Sequence, residues 1–250
     1  MISLKKITKQ GKALFLAYDQ GLEHGPTDFN DKNVDPNYII EIAKKGKYTG
    51  IIFGKGIAEK YNQEIKKSKI PLIIKLNGKT SLLKGEPISR QLCTVDEAIK
   101  LGAVAVGYTI YFGSEHEPEM LSEFENILRE AHKKSLPVIV WAYPRGKGVE
   151  GKPSSELMAY AARGALEIGA DIVKIAYNGN PSALEWAVKS AGKTKIVIAG
   201  GSKESEKEFL FEVKSIIKSG AIGLAIGRNV WQSETPLEIT KKIQKVIWKK

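Results

Sequence analysis

One cysteine, Cys93, stands in 250 residues, so no internal disulfide can form. This fits a reducing cytosol, where thiols stay free. Histidine is almost as scarce, with only His24, His116 and His132. His132 falls in the helix-like stretch EFENILREAHKK, leaving two histidines on separate loops. That is a poor set for holding a catalytic metal, which usually takes several clustered ligands. No apolar run reaches the ~18 residues of a membrane span. The first residues, MISLKKITKQGKALFLAYDQG, have neither the long apolar region nor the small-residue cleavage site of a secretory signal. The expectation is a cytoplasmic protein with no membrane partner.

Positive charge is in excess: 39 Lys and Arg stand against 28 Asp and Glu, a net charge of +11. The lysines are spread along the chain in pairs such as Lys44–Lys45 and Lys66–Lys67. They lack the dense block and interleaved aromatics of a nucleic-acid groove, so no nucleic acid is expected as a partner. They read as a solvated surface whose field favours anionic substrates such as phosphates.

Short apolar runs alternate with helical patterns from end to end. The runs cover 13–19, 49–55, 71–77, 103–110, 137–143, 171–177, 195–201 and 221–227. Continuous apolar runs are the mark of strands buried on both faces. Helical patterns at 36–46, 94–102, 154–169 and 204–220 each close on or next to a glycine, and a last one covers 236–249. Eight strand–helix units in about 250 residues is the arithmetic of an α/β chain folded as a (β/α)8 TIM barrel, one domain over 1–250. A doubly wound open sheet is the alternative. The stretch 78–93 reads as an extended loop after the third strand.

Two glycine motifs are decoys. GKGVEG (146–151) matches G-x-G-x-x-G, but Pro144 and Pro153 bracket it, and a dinucleotide fingerprint turns directly from strand into helix. It reads as a loop on the catalytic face. NGKTS (77–81) resembles the end of a P-loop, but the earlier glycine it needs is Ile73.

Barrel enzymes carry their chemistry at the C-terminal strand ends. The polar residues there are Asp19, Lys55, Lys75, Asn77, Trp141, Tyr143, Lys174, Tyr177, Ser202 and Arg228. Successive strand side chains face opposite sides, which selects among them. In DIVKIAY, Val173 and Ile175 share an apolar face, so Lys174 points into the barrel. By the same alternation Asp19, Trp141 and Tyr143 point to that mouth. A lysine in an apolar pocket loses solvation of its charged form, and its neutral amine can attack a ketone to form an iminium. Tyr143 and Asp19 could move the protons that this chemistry needs. Lys75 is the competing lysine. After strand seven come Ala199, Gly200, Gly201 and Ser202, and after strand eight Gly227 and Arg228. Those two loops commonly form a phosphate site in barrels.

At these residues the chain resembles the archaeal-type class I fructose-1,6-bisphosphate aldolases, the DhnA family. The marks are AYDQGLEHGPTDF (17–29), KLNGKT (75–80), WAYPRG (141–146), DIVKIAYNGN (171–180), AGGSK (199–203) and GRNVWQ (227–232), in order along nearly the whole chain. The resemblance implies reversible cleavage of fructose 1,6-bisphosphate to dihydroxyacetone phosphate and glyceraldehyde 3-phosphate. Lys174 would be the Schiff-base lysine and Tyr143 the proton donor and acceptor, with Asp19 and Trp141 shaping the site. Gly200, Gly201, Gly227 and Arg228 would hold one phosphate, with Ala199 and Ser202 beside them. His24, Asp28 and Arg145 would contact the distal end of the substrate. The family often has histidine where this chain has Gln20, which leaves Gln20 a binding role. The resemblance also implies no cofactor, no metal and a homo-oligomer built on pentameric rings, such as a decamer. The alternatives are a related Schiff-base 2-amino-3,7-dideoxy-heptulosonate synthase and, in another class, a phosphate-binding barrel without catalysis.

Overall fold

The computed structural model describes residues 2–201 and 205–248. Its strands are β1 (Ala13–Ala17), β2 (Gly50–Gly54), β3 (Leu72–Lys75), β4 (Asn77–Gly78), β5 (Arg90–Gln91), β6 (Ala103–Phe112), β7 (Val138–Pro144), β8 (Ile172–Ala176), β9 (Lys195–Ala199) and β10 (Gly223–Ile226). Eight of them close into a barrel in the order β1-β10-β9-β8-β7-β6-β3-β2, every pair parallel. The (β/α)8 barrel expected from the alternating runs is the observed fold.

The two faces of each strand build two separate cores. Phe15, Ile52, Ile73, Ile139, Ile172 and Val197 point inward and fill the barrel with one cluster. Ile7, in the segment leading into β1, joins that cluster and plugs the N-terminal end. Leu14, Leu16, Ile51, Phe53, Ile74 and Val173 point outward and pack under the helices. Burying a side chain of this size is worth about 1.5–3 kcal/mol, so a one-residue slip in any strand would exchange the two sets at prohibitive cost. The inward register is what brings polar residues to the C-terminal mouth.

Gly107 is the inward residue of β6 one step above Ala105, and a Cβ there would lie 1.7 Å from Cζ3 of Trp141. The missing side chain is the space that the indole occupies.

Helix starts follow local chemistry. Asp35 accepts from the Asn37 amide ahead of Pro36–Lys45, Thr94 and Glu97 form a capping box on Val95–Lys100, and Asn180 and Ser205 cap Pro181–Ser190 and Glu206–Lys218. Each such cap contributes about 1 kcal/mol. Three α-helices of more than four residues lie outside the patterns read from sequence: Lys55–Lys60, Asn62–Ser68 and Pro181–Ser190. Tyr61 leaves helical geometry (φ −109°, ψ 22°) and splits the first two into pieces too short to show a full amphipathic period.

The stretch 78–93 is more ordered than a plain loop. β4 and β5 pair antiparallel at its two ends. Asn77 donates through Nδ2 to the carbonyls of Ser89 and Thr109 and accepts the Thr109 amide at 2.8 Å. These bonds replace β3, which ends at Lys75, as the partner of the longer β6. The loop 146–151 packs onto Gly113, whose carbonyl accepts the Gly148 amide, and it joins no dinucleotide-type turn.

Candidate active site

A cavity of about 230 Å³ opens at the C-terminal mouth. Asp19, Gln20, His24, Trp141, Tyr143, Arg145, Lys174, Ala199, Gly200, Gly201, Gly227 and Arg228 all line it. Of the residues singled out from sequence, Asp28 stands one contact behind, bonded to His24 and Arg228. Ser202 lies outside the described residues.

Lys174 comes from the middle of β8 and is 6% exposed. Its Nζ sits 5.0 Å from the ring centre of Trp141, its register neighbour on β7. Burial pushes its pKa below the ordinary lysine value, with Asp19 and then Glu23 pulling the other way. The amine is therefore shifted toward the neutral form that a nucleophile needs.

Asp19 follows β1 and stands 3.5 Å from Nζ of Lys75, with its side chain 7% exposed. Burial raises its pKa, but Lys174 and then Lys75 outweigh it together with hydrogen bonds, and the net shift is downward. Asp19 is thus a buried carboxylate held ionised. Tyr143 is the opposite case. Burial and the charge of Asp19 push its phenol well above the ordinary tyrosine value, against Lys75 and Arg145. It stays a neutral O–H donor. Two groups with pKa values driven apart in one cavity form an acid–base pair.

Two buried donors in the wall make no hydrogen bond to any described residue: Nε1 of Trp141 and Nε2 of Gln20. Leaving a buried N–H unpaired costs about 1–3 kcal/mol, so both are available to a substrate oxygen.

The glycine loops form the other wall. Arg228 donates to the Gly201 carbonyl at 3.1 Å, and Asn229 to that of Gly200 at 2.6 Å. Arg228 also faces Asp28 at 3.5 Å, and Asp28 accepts His24 Nδ1 at 2.5 Å. Asp28 therefore links the His24 segment, read from sequence as the distal contact, to the glycine-loop arginine. Arg145 is set apart, paired with Glu23 at 3.2 Å and lying over Tyr143 and Tyr111 at 5.3 and 5.6 Å.

Two further residues belong to this site: Lys75, read from sequence only as the lysine competing with Lys174, and Glu23, which had no role assigned from sequence. Lys75 was legible as the inward end of β3; Glu23 gave only its position in DQGLEHG. Lys55 does not line this cavity and is bonded to Glu97 at 2.5 Å. His116 contacts Glu119, and His132 meets Asp171 at the opposite end of β8. Among the described residues no three His, Cys, Asp or Glu side chains gather to hold a metal. No helix among them is long and apolar enough to cross a membrane.

The sequence pattern of the DeoC/LacD family of aldolases matches residues 13–233. The class 1 fructose-bisphosphate aldolase of Thermoproteus tenax is 47% identical over 248 residues, covering 98% of this chain and 93% of its own. An archaeal fructose-1,6-bisphosphate aldolase, solved with its catalytic lysine covalently bound to the carbinolamine intermediate of the substrate, superposes with a TM-score of 0.92 at 46% identity, over 98% of this chain and 97% of that one. The 2-amino-3,7-dideoxy-D-threo-hept-6-ulosonate synthase of Halobacterium salinarum is more distant, at 30% identity over 98% of this chain and 89% of its own. The chain belongs to the DeoC/LacD family of aldolases, among its class I fructose-bisphosphate aldolases.

Proposed function

We propose that this chain cleaves fructose 1,6-bisphosphate reversibly through an imine on Lys174. The observation that carries the reading is the buried Lys174 amine, without an ion pair among the described residues, in one cavity with Asp19 and Tyr143; the direction of each pKa shift supports it. The neutral amine adds to the ketone carbon to give a carbinolamine, whose hydroxyl takes up one proton and leaves as water to give the iminium; the final hydrolysis returns that proton. Asp19 takes the proton of the C4 hydroxyl as the C3–C4 bond breaks. The bonding electrons move into the iminium, giving an enamine and the free aldehyde. Tyr143 donates a proton to C3, and water then releases dihydroxyacetone phosphate. The proton gained by Asp19 balances the one given by Tyr143. Trp141 and Gln20 direct their free N–H groups at substrate oxygens. One phosphate sits between Gly200, Gly201, Gly227 and Arg228, with Ala199 alongside, and Arg145, His24 and Asp28 position the remainder.

Borohydride reduction in the presence of dihydroxyacetone phosphate tests the reading. The expected result is a single mass adduct on Lys174 and an activity that EDTA leaves unchanged. An adduct on Lys75, or none, overturns it. Arg228→Met is expected to raise KM for the bisphosphate by about tenfold or more with a smaller effect on kcat, since a charge-assisted phosphate contact is lost from ground and transition states alike. Steady-state kinetics at fixed ionic strength check this. We also place the protein in the cytoplasm as a homo-oligomer. The buried single cysteine supports the first, and the exposed outer-helix side chains Tyr160, Trp186 and Phe211 support the second.

A further inference from the structure

We infer that Lys75 is a positioning residue for the reaction: its ammonium engages Asp19 and so leaves the Lys174 amine without a carboxylate partner. The inference rests on the Schiff-base reading of Lys174.

Four cationic side chains line the cavity: Lys75, Arg145, Lys174 and Arg228. Three have a carboxylate of their own. Arg145 meets Glu23 at 3.2 Å, Arg228 meets Asp28 at 3.5 Å, and Lys75 meets Asp19 at 3.5 Å. Lys174 makes no ion pair within 4.0 Å among the described residues. The difference is chemical. A lysine locked in a buried ion pair is held protonated, and a protonated lysine is no nucleophile.

Among the described residues two carboxylates act on Lys174, Asp19 more strongly and Glu23 less, and Glu23 is held by Arg145 at 3.2 Å. Lys174 and Lys75 both lower the pKa of Asp19, so it lies under the influence of both ammonium groups. Lys75 is 10% exposed, and water screens a charge this buried only weakly. Its position is built in: Lys75 is the last residue of β3 and inward by alternation from Ile73. Without its charge, Asp19 keeps one cation to pair with, Lys174. Lost repulsion and tightened attraction then act in the same direction, toward a protonated Lys174. The other charged or titrating groups of the cavity do not substitute. Glu23 is taken by Arg145, His24 and Arg228 both meet Asp28, and Tyr143 is held neutral.

The test is the rate of borohydride trapping with dihydroxyacetone phosphate as a function of pH in Lys75→Met, Lys75→Gln and Lys75→Arg, with thermal unfolding recorded for each. Lys75→Met and Lys75→Gln are expected to move the acid limb upward by about one pH unit or more, slowing trapping at pH 7 about tenfold and recovering in alkali. Lys75→Arg is expected to keep the wild-type midpoint. A uniformly slower reaction with an unmoved midpoint overturns the inference. So does a raised KM with an unmoved midpoint, which would make Lys75 a substrate contact. Absence of trapping in the wild type at every pH refutes the Schiff-base reading instead, so the two failures are distinct.

Discussion

Lys174→Met is expected to abolish the borohydride adduct and to lower the aldol cleavage rate by at least about 10⁴-fold, because the variant has no group that can form the iminium. The same substitution is expected to leave the fold as stable as the wild type, or more stable, at neutral pH. The sign follows from linkage. In the folded state the Lys174 pKa lies below that of the unfolded chain, with burial as the main cause. Protonated Lys174 therefore opposes folding at every pH below its folded pKa. The opposition fades as pH rises toward the unfolded value of about 10.4 and is gone above it. Methionine has similar length and no charge to desolvate, and Asp19 keeps Lys75 at 3.5 Å. The unfolding temperature of the variant relative to wild type is expected to be highest near neutral pH and to converge above pH 10. Residual cleavage within about tenfold of wild type would sink the catalytic assignment. A large loss of stability near pH 7 would show instead that Lys174 is a paired structural lysine.

The inward aim of Lys174 was legible because a buried parallel strand has only two faces. With Val173 and Ile175 outward, no other direction remains for Lys174, and the same parity places Trp141 and Tyr143 on β7. The closure of eight units was legible for a similar reason, since each apolar run needs helices on one side and a filled interior on the other. The pairings around the mouth were not. Lys75–Asp19, Arg145–Glu23 and Arg228–Asp28 join residues 56, 122 and 200 positions apart, from different strand ends. Periodicity carries no information about which loop reaches which. Asp28 is the telling case: beside His24 in sequence it reads with the distal contacts, yet the chain folds back far enough for it to meet Arg228. Gly107 shows the same limit. Its role depends on a cross-strand neighbour, Trp141, and a lone glycine in an apolar run does not declare what occupies the space above it. The cap of Pro181–Ser190 is written in the sequence at Asn180 and Pro181, but a ten-residue helix with few buried positions has a weak period.

Tyr143→Phe separates imine formation from proton transfer. Burial and Asp19 keep the phenol protonated across the neutral range, so its function is to give a proton rather than to carry charge. Its hydroxyl makes no hydrogen bond to a described residue, and its ring keeps the contact with Arg145 at 5.3 Å whether or not the oxygen is present. Phenylalanine should therefore preserve the packing and the cavity wall. The substitution is expected to lower kcat by about 10²–10⁴-fold, the range of a lost general acid, with KM changed far less. Lys174 should still be trapped with dihydroxyacetone phosphate, because attack on the ketone uses the amine and not the C3 proton donor. Exchange of the C3 proton of dihydroxyacetone phosphate with deuterated water should fall in parallel with kcat. Exchange at the wild-type rate in Tyr143→Phe would remove Tyr143 from the proton path and turn the assignment at C3 to Asp19. Loss of both trapping and exchange would move the Tyr143 hydroxyl to an earlier step, the dehydration of the carbinolamine, where a neutral phenol beside the leaving oxygen acts by the same donation.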